Sequence, residues 1–256
     1  MTDGTAGTGA SGPDAAGSRR PGKSRAGGRA GSPGGAPGRP RSLTARAVAE
    51  AALAEGLADF SMPGVAARLG VSHSTLYRYV QDRDDLVRTA IGLAVEGTHW
   101  PEAGLPWRDL LVELADRIWE LCDAHPGFAQ AVLTTPGTPP AIVERLIRYA
   151  RSLVAAGLTD REAVVSVDFV AELVLSTWIA MRHLDRETTA GSGRTVREEY
   201  RDTWSAPTPF SAEFTAEATW HGRGWFADKL DIYLDGLALR IGTRSAAADG
   251  RDAGSG

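Results

Sequence analysis

The sequence predicts an all-α fold, with a domain of short helices near the N-terminus and a longer helical domain after it. Three observations predict it. From residue 42 onward, apolar residues recur at three- and four-residue spacing, the period of an amphipathic helix. These stretches are punctuated by residues that start or stop helices, and no alternating strand pattern competes with them. The first 41 residues have a different composition altogether.

The chain has 256 residues and is 43% hydrophobic and 23% charged, an ordinary balance for a protein that buries a core. One cysteine excludes an intrachain disulfide framework and a cysteine zinc site, and points to a reducing, cytoplasmic compartment. The formal charge is −4, from 28 Lys+Arg and 32 Asp+Glu. That excludes a protein coated in basic charge. It does not exclude nucleic-acid binding, which depends on where the charges lie.

Residues 1–41 are dominated by Gly, Ala, Ser and Pro, and such a segment is expected to be disordered because it cannot bury enough surface to offset its ordering entropy. No apolar stretch follows Met1, so a signal peptide is not expected. The arm holds Arg19, Arg20, Lys23, Arg25, Arg29, Arg39 and Arg41 against Asp3 and Asp14, a net +5 that leaves −9 on the rest. Within it, Gly17 to Ser24 fits the phosphate-loop pattern G-x-x-x-x-G-K-S. That pattern binds phosphate only between a buried strand and a helix N-terminus, and neither flank qualifies.

Residues 42–97 form the first domain. A helix is expected from Leu43 to Gly56, with Thr44 as N-cap and Val48, Ala51, Ala52 and Leu53 on one face. Ser61 caps a second short helix, Phe60 and Val65 form a hydrophobic staple across its start, and Gly70 stops it. A third helix is expected over residues 71–80, capped by Ser72, with Leu76 and Val80 turned inward and Tyr79 in the core. Asp82 then caps a longer helix that buries Leu86, Val87, Ala90, Ile91 and Ala94. Two short helices joined through Gly70 make a helix-turn-helix pattern.

The run SMPGVAARLGVSHSTLYRYVQDRDDLV resembles the DNA-binding region of the TetR family of bacterial transcriptional repressors. The resemblance extends from about Leu43 to Ala94. It includes the Ala-x-x-Leu-Gly-Val-Ser turn, the Leu-Tyr-Arg-Tyr-Val stretch and the Asp-Arg-Asp-Asp-Leu start of the fourth helix. It implies an N-terminal helix-turn-helix three-helix domain plus a C-terminal helical domain for ligand binding and dimerisation. The implied protein is a repressor that binds a palindromic DNA operator as a homodimer and is released by a small molecule.

A recognition helix enters the major groove with its N-terminal residues toward the base edges. Those residues here are Ser72, His73, Ser74 and Thr75, with Arg78 on the outward side. His73 and Ser74 can exchange hydrogen bonds with bases, and the Thr75 methyl can meet a thymine methyl. The resemblance assigns phosphate clamping to Tyr77 and Thr44, and places Arg83 where the family commonly has a backbone-holding Lys. Ser61 and Met62 are further candidates for backbone contact.

Residues 98–242 form the second domain, and residues 243–256 are expected to be a disordered tail. Leu110, Leu111, Leu114, Ile118, Leu121 and Cys122 mark one helix. Ile142, Val143, Leu146, Ile147, Tyr149 and Leu153, expected inward, mark another. Val164, Val167, Phe169, Val170, Leu173, Val174, Trp178 and Met181 mark a long third one, whose Asp168 and Glu172 argue against a membrane span. Residues 185–209 turn polar and read as a mobile loop. A last helix runs from Trp225 to Ile241, carrying Phe226, Leu230, Ile232, Tyr233, Leu234 and Leu237. The stretches PWRDLLVELADRIWELCDAHPGFAQ and FADKLDIYLDGLALRI resemble the first and last helices of the tetracycline-repressor-like C-terminal domain. By that resemblance the helix near 160–184 and the last helix pack against a second subunit.

Trp119, Phe128, Trp178, Met181 and His183 are the candidate lining of an effector pocket suited to a flat, lipophilic, aromatic ligand. His99 and His125 lack the spacing of a metal site, and no metal or cofactor is expected. No Ser–His, Cys–His or paired-carboxylate arrangement suggests an enzyme. A scaffold or small-molecule-binding protein that has lost DNA binding is the alternative. It draws on one feature: residues 42–97 hold five cations against seven acids, a net −2. Phosphate contacts supply much of DNA affinity, so the +5 arm is expected to compensate along the DNA backbone. Deleting residues 1–38 should then flatten the slope of log K against log salt in operator titrations. An unchanged slope would remove the arm from binding.

Overall fold

The computed structural model describes residues 43–252, with side chains as far as residue 244. The arm of residues 1–41, with its phosphate-loop pattern and its expected DNA contacts, lies outside the described residues, as does the end of the tail. Twelve helices form among the described residues, and the strand-like content there is a single bridge between Glu187 and Thr195.

The head is built from α1 (Ala45–Glu55), α2 (Met62–Leu69), α3 (His73–Leu76) and the start of α4 (Arg83–Gly97). Three of its four expected caps form where the sequence places them, at Thr44, Ser61 and Asp82 but not at Ser72. Thr44 Oγ1 accepts from Ala47 N at 3.1 Å, Ser61 Oγ from Gly64 N at 3.0 Å, and Asp82 Oδ1 from Asp85 N at 2.7 Å. Gly70 ends α2 in the left-handed region at φ +67, a conformation a side chain would strain. Phe60 and Val65 are both buried, as a staple across the helix start requires.

Two expectations for the third helix are corrected. It spans four residues instead of running to Val80: Arg78 N and Tyr79 N bond three residues back, to Thr75 O and Leu76 O, which tightens the helix into a turn. Tyr79 is exposed rather than core, while Leu76 and Val80 are buried as expected.

The body follows as α5 (Trp107–Ala124), α6 (Phe128–Thr134), α7 (Pro140–Ala155) and α8 (Asp160–Leu184). α5 and α7 pack on α8, and all six apolar residues expected inward on α5 are buried. Burial pushes the thiol of fully buried Cys122 up to about 12, with the Asp123 charge adding to the effect. α4 packs on α1 within the head and also on α6 and α7. The described residues belong to one compact unit in which α4 belongs to both halves.

The periodicity places two residues of α7 wrongly. Val143 and Ile147 are exposed, while Tyr149 and Leu153 are fully buried and Tyr149 Oη donates to Pro101 O at 3.0 Å. α8 is long and apolar enough, by length and composition, to cross a membrane. Its Val167, Val170 and Val174 are buried, but Val164, Val165 and Phe169 are exposed. An apolar surface that runs nearly all round a helix has more than one stripe, and the body covers one of them.

The polar segment expected to be a mobile loop carries structure. α9 (Val196–Trp204) begins at a capping box in which Thr195 and Glu198 bond each other's backbone N–H. The Thr-x-x-Glu spacing encodes that start, and the Gly and Arg content around it masks the signal. Two short turns of helix follow, α10 (Ser211–Thr215) and α11 (Glu217–Trp220). The last helix, α12, runs Phe226–Asp252, past the Ile241 where it was expected to end and into the segment expected to be a disordered tail. The alanines at 246–248 favour helix and carry the backbone on. On α12, Phe226, Leu230, Leu234 and Leu237 are buried, whereas Ile232 and Leu239 are 75% and 74% exposed.

α12 is tied to α8 by a polar hub. Glu162 completes a capping box with Thr159 and accepts from Arg240 and Arg244 of α12, at 3.1 and 2.6 Å. The Arg244 hydrogen bond, with those from Thr159, holds the Glu162 carboxyl well below the usual range.

The head meets the body at the corner His125-Pro126-Gly127. Pro126 O accepts from Ala58 N at 3.3 Å. Gly127 sits at φ +84, and a Cβ there would lie 2.2 Å from Ala58 N and 2.7 Å from Ala58 Cα. Gly127→Ala therefore meets both backbone strain and a clash with backbone. It should lower stability by about 2–5 kcal/mol and loosen the head, measured by denaturant unfolding and by amide exchange around Ala58. Burial pushes the His125 imidazole below its usual 6.5. The folded state then binds fewer protons than the unfolded one, so the stability linked to His125 is complete above 6.5 and declines as pH falls through the window beneath it. His125→Asn should flatten the dependence of Tm on pH between about pH 7 and 5.

Candidate nucleic-acid interface and internal cavity

The helix-turn-helix presents a polar row on an apolar anchor. Leu76 and Val80 are buried beneath α3, while Ser72, His73, Ser74, Tyr77 and Arg78 are exposed and Thr75 is half-buried. Ser72 stands in the cap position but makes no side-chain cap bond. Its hydroxyl instead meets Ser74 Oγ at 3.0 Å and Thr75 Oγ1 at 2.7 Å. The three hydroxyls form one cluster at the tip of α3. His73 and Tyr77, four residues apart, meet edge to face with ring centroids 5.2 Å apart.

The flanking candidates surround this row. Thr44 and Ser61 are exposed and spend an oxygen lone pair on their caps, which leaves each O–H free to donate outward. Met62 is buried and is corrected from a candidate contact to a core residue. Arg83 is exposed, and its guanidinium lies 4.6 Å from the centre of the Phe60 ring.

Pairing reshapes the net −2 of the head. Arg46 is bound to Glu50 and Glu96, and Arg88 to Asp85, so their charges are answered internally. Arg68, Arg78 and Arg83 have no carboxylate partner among the described residues. Arg78 and Arg83 are two of the expected contacts, and Arg68 is a cation the sequence reading missed. Its position in the last turn of α2, immediately before the turn through Gly70, was the available signal.

A partly open cavity of about 400 Å³ lies among α4, α5, α6, α7 and α8. Its walls are mostly apolar, including Leu114, Phe128, Leu146 and Leu175, with Trp100 at one side and Arg145, Asp168 and Glu172 as its charged groups. Ile91 and Val95 of α4 line it directly. The five residues expected to line one pocket divide. Phe128 faces this cavity. Trp119, Trp178 and Met181 line a separate depression of about 370 Å³, and His183 lines neither and is exposed. Aromatic content was the signal used, and it does not distinguish a cavity wall from a surface hollow. Most of the lining residues missed were aliphatic ones of α4, α5, α7 and α8, indistinguishable in sequence from core.

In that second depression, Asp123 Oδ1 accepts from Trp178 Nε1 at 2.8 Å and from Arg182 at 2.7 Å. Burial raises the Asp123 pKa, but these hydrogen bonds and the nearby Arg charges outweigh it and hold the carboxyl below its usual value. Among the described residues no group of three or more His, Cys, Asp or Glu could hold a metal ion.

A short helix with its polar tip outward, in a head that packs on a helix lining a mostly apolar cavity, defines a helix-turn-helix regulator class. The comparisons agree. The family profile described as "Bacterial regulatory proteins, tetR family" matches residues 45–90, and "Tetracyclin repressor-like, C-terminal domain" matches residues 100–241. The chain belongs to the tetR family of bacterial regulatory proteins. It is 31% identical over 133 residues to the HTH-type transcriptional repressor DrrR1 of Streptomyces coeruleorubidus, covering 49% of this chain and 48% of that protein. It is 25% identical over 148 residues to an HTH-type transcriptional regulator of Saccharopolyspora erythraea, covering 57% and 63%. The matched stretches thus span less than two thirds of either relative. In fold, it is similar to Streptomyces coelicolor ActR in complex with actinorhodin, with TM-score 0.65, 22% identity and coverage of 77% and 96%. It is also similar to BioQ with its double-stranded DNA operator, with TM-score 0.53, 19% identity and coverage of 77% and 99%.

Proposed function

We propose that this chain is a cytoplasmic, DNA-binding transcriptional repressor that reads a palindromic operator as a homodimer and leaves it when a lipophilic, aromatic small molecule enters the cavity. The observation that carries this reading is the dual role of α4. One helix lines the cavity through Ile91 and Val95 and packs on α1 of the head. A ligand that prefers a different placement of α4 shifts the population toward heads that no longer fit the operator.

His73, Ser74 and Thr75 are the base-reading residues in this account, with Ser72 ordering the cluster. Thr44, Ser61, Tyr77, Arg78 and Arg83 hold phosphates. Two recognition elements about 34–36 Å apart require two copies of the head. The uncovered apolar residues of α8 and α12, with Phe169 stacked on Tyr233 at 4.1 Å, supply a surface for the second copy. The cavity is apolar and holds few polar groups, which suits a flat hydrophobic effector.

The test is footprinting on the DNA upstream of the protein's own coding region, with sedimentation in parallel. A protected palindrome and a two-chain particle support the reading; absent protection with a folded chain favours the scaffold alternative. Tyr77→Phe and Arg83→Ala should weaken binding to all sequences alike, by about 0.5–2 kcal/mol each. His73→Ala should change base preference, read by selection from a randomised duplex. Ala171→Trp, which fills the cavity, should keep operator affinity and abolish release by effector.

A further inference from the structure

A polar path runs from the wall of the apolar cavity to the backbone beneath the recognition tip. The turn between α6 and α7 forms part of that wall, through Thr135, Gly137, Thr138 and Pro139. Gly137 stands at φ +82, and a Cβ there would lie 3.4 Å from Arg88 Cδ, so the turn rests on the stem of an α4 arginine. Arg88 Nη1 donates to Pro136 O, in the middle of the same turn, at 3.1 Å. Its other terminal nitrogen, Nη2, donates to Asp85 Oδ1 at 3.4 Å. Both side chains of this ion pair are partly buried, so water screens it less than it screens a surface pair.

Asp85 completes the path. Its Oδ2 accepts from Gln81 N at 2.9 Å, and its own N donates to Asp82 Oδ1 at 2.7 Å. Gln81 follows Val80, the buried anchor of the turn that ends the recognition element. Val80 N and Tyr79 N both bond back to Leu76 O. A carboxylate oriented by Arg88 thus holds the backbone on which the Ser72, Ser74 and Thr75 hydroxyls stand. Arginine suits this place because its planar fork holds two acceptors in a fixed geometry, which the single ammonium of a lysine does not.

We propose that Arg88 is a positioning residue that carries displacement of the cavity wall to the recognition turn. A ligand that pushes residues 135–139 outward draws Pro136 O off Arg88, Asp85 loses its orientation, and Gln81 N–H is released. This deepens the effector reading and rests on it for its purpose, but adds a route that needs no movement of α4 as a rigid body. A contiguous row of contacts amounts to coupling only where its two ends respond non-additively.

The test is amide exchange on the full chain, with neither DNA nor effector present. Gly137→Ala serves as the displacement of the turn, because its Cβ presses toward Arg88 and its backbone is strained. Exchange at Gln81 should rise about three- to tenfold, the effect of losing one hydrogen bond. Arg88→Met, which keeps an unbranched apolar stem and removes both donors, should raise it by a similar factor. Adding Gly137→Ala to Arg88→Met should raise it no further. Arg88→Lys should restore only part of the protection, and the amides of Leu114 and Ile118 in α5 should not change in any variant. Unmoved exchange at Gln81 in Gly137→Ala, an equal rise with and without Arg88, or a parallel rise in α5 would overturn the proposal. If Arg88→Met fails to fold, Asp85→Asn, which removes the ion pair but keeps an acceptor oxygen for Gln81, should likewise abolish the response to Gly137→Ala. The readout needs no operator: a chain that protects no DNA yet responds non-additively would lose the repressor reading and keep this coupling.

Discussion

The close approach of Gly127 to Ala58 is the constraint on which the arrangement depends. The backbone of the α5–α6 corner lies so near the backbone of the α1–α2 turn that no Cβ fits between them. That contact, with the Pro126–Ala58 hydrogen bond, docks the head against the body at a second point besides α4. Two attachment points turn a shift of one helix into a change in the placement of the whole head. With α4 alone, the same shift would be taken up by a free hinge. The rigid link is what makes the proposed ligand control mechanically possible.

The reading head was largely legible in the sequence because its signals are local. Caps, a staple and a stop glycine act within five residues, and Thr44, Ser61, Gly70 and Asp82 behave as their types dictate. The shortness of α3 was less legible. Tyr77, Arg78 and Tyr79 are compatible with helix by pattern, and the tight turn that replaces it is set by how Leu76 and Val80 are both drawn into the core. Ser72 was read as a cap from its type and place, but two hydroxyls at short range compete for its oxygen.

The body was legible as helices and illegible as a site. The period of α5 gave its buried face because one side of that helix is polar. On α8 and α12 the period could not tell a stripe buried within the chain from one left outside it, since both are apolar. The cavity has the same cause. Its aliphatic walls on α4 and α7 look in sequence like any core, and only the three-dimensional packing reveals that space remains between them. Arg197 illustrates the opposite case, a charged residue in a polar segment that reads as surface yet is enclosed.

Cys122 lends the molecule a built-in clock. The single thiol of the chain is wholly covered within α5 and kept in its protonated, unreactive form by that covering. A thiol reagent in solvent can therefore find it only during those moments when α5 lifts away from its neighbours. The pace of labelling counts these excursions directly. Because α5 runs into the Gly127 corner, it reports on how often the coupling between the two halves comes undone.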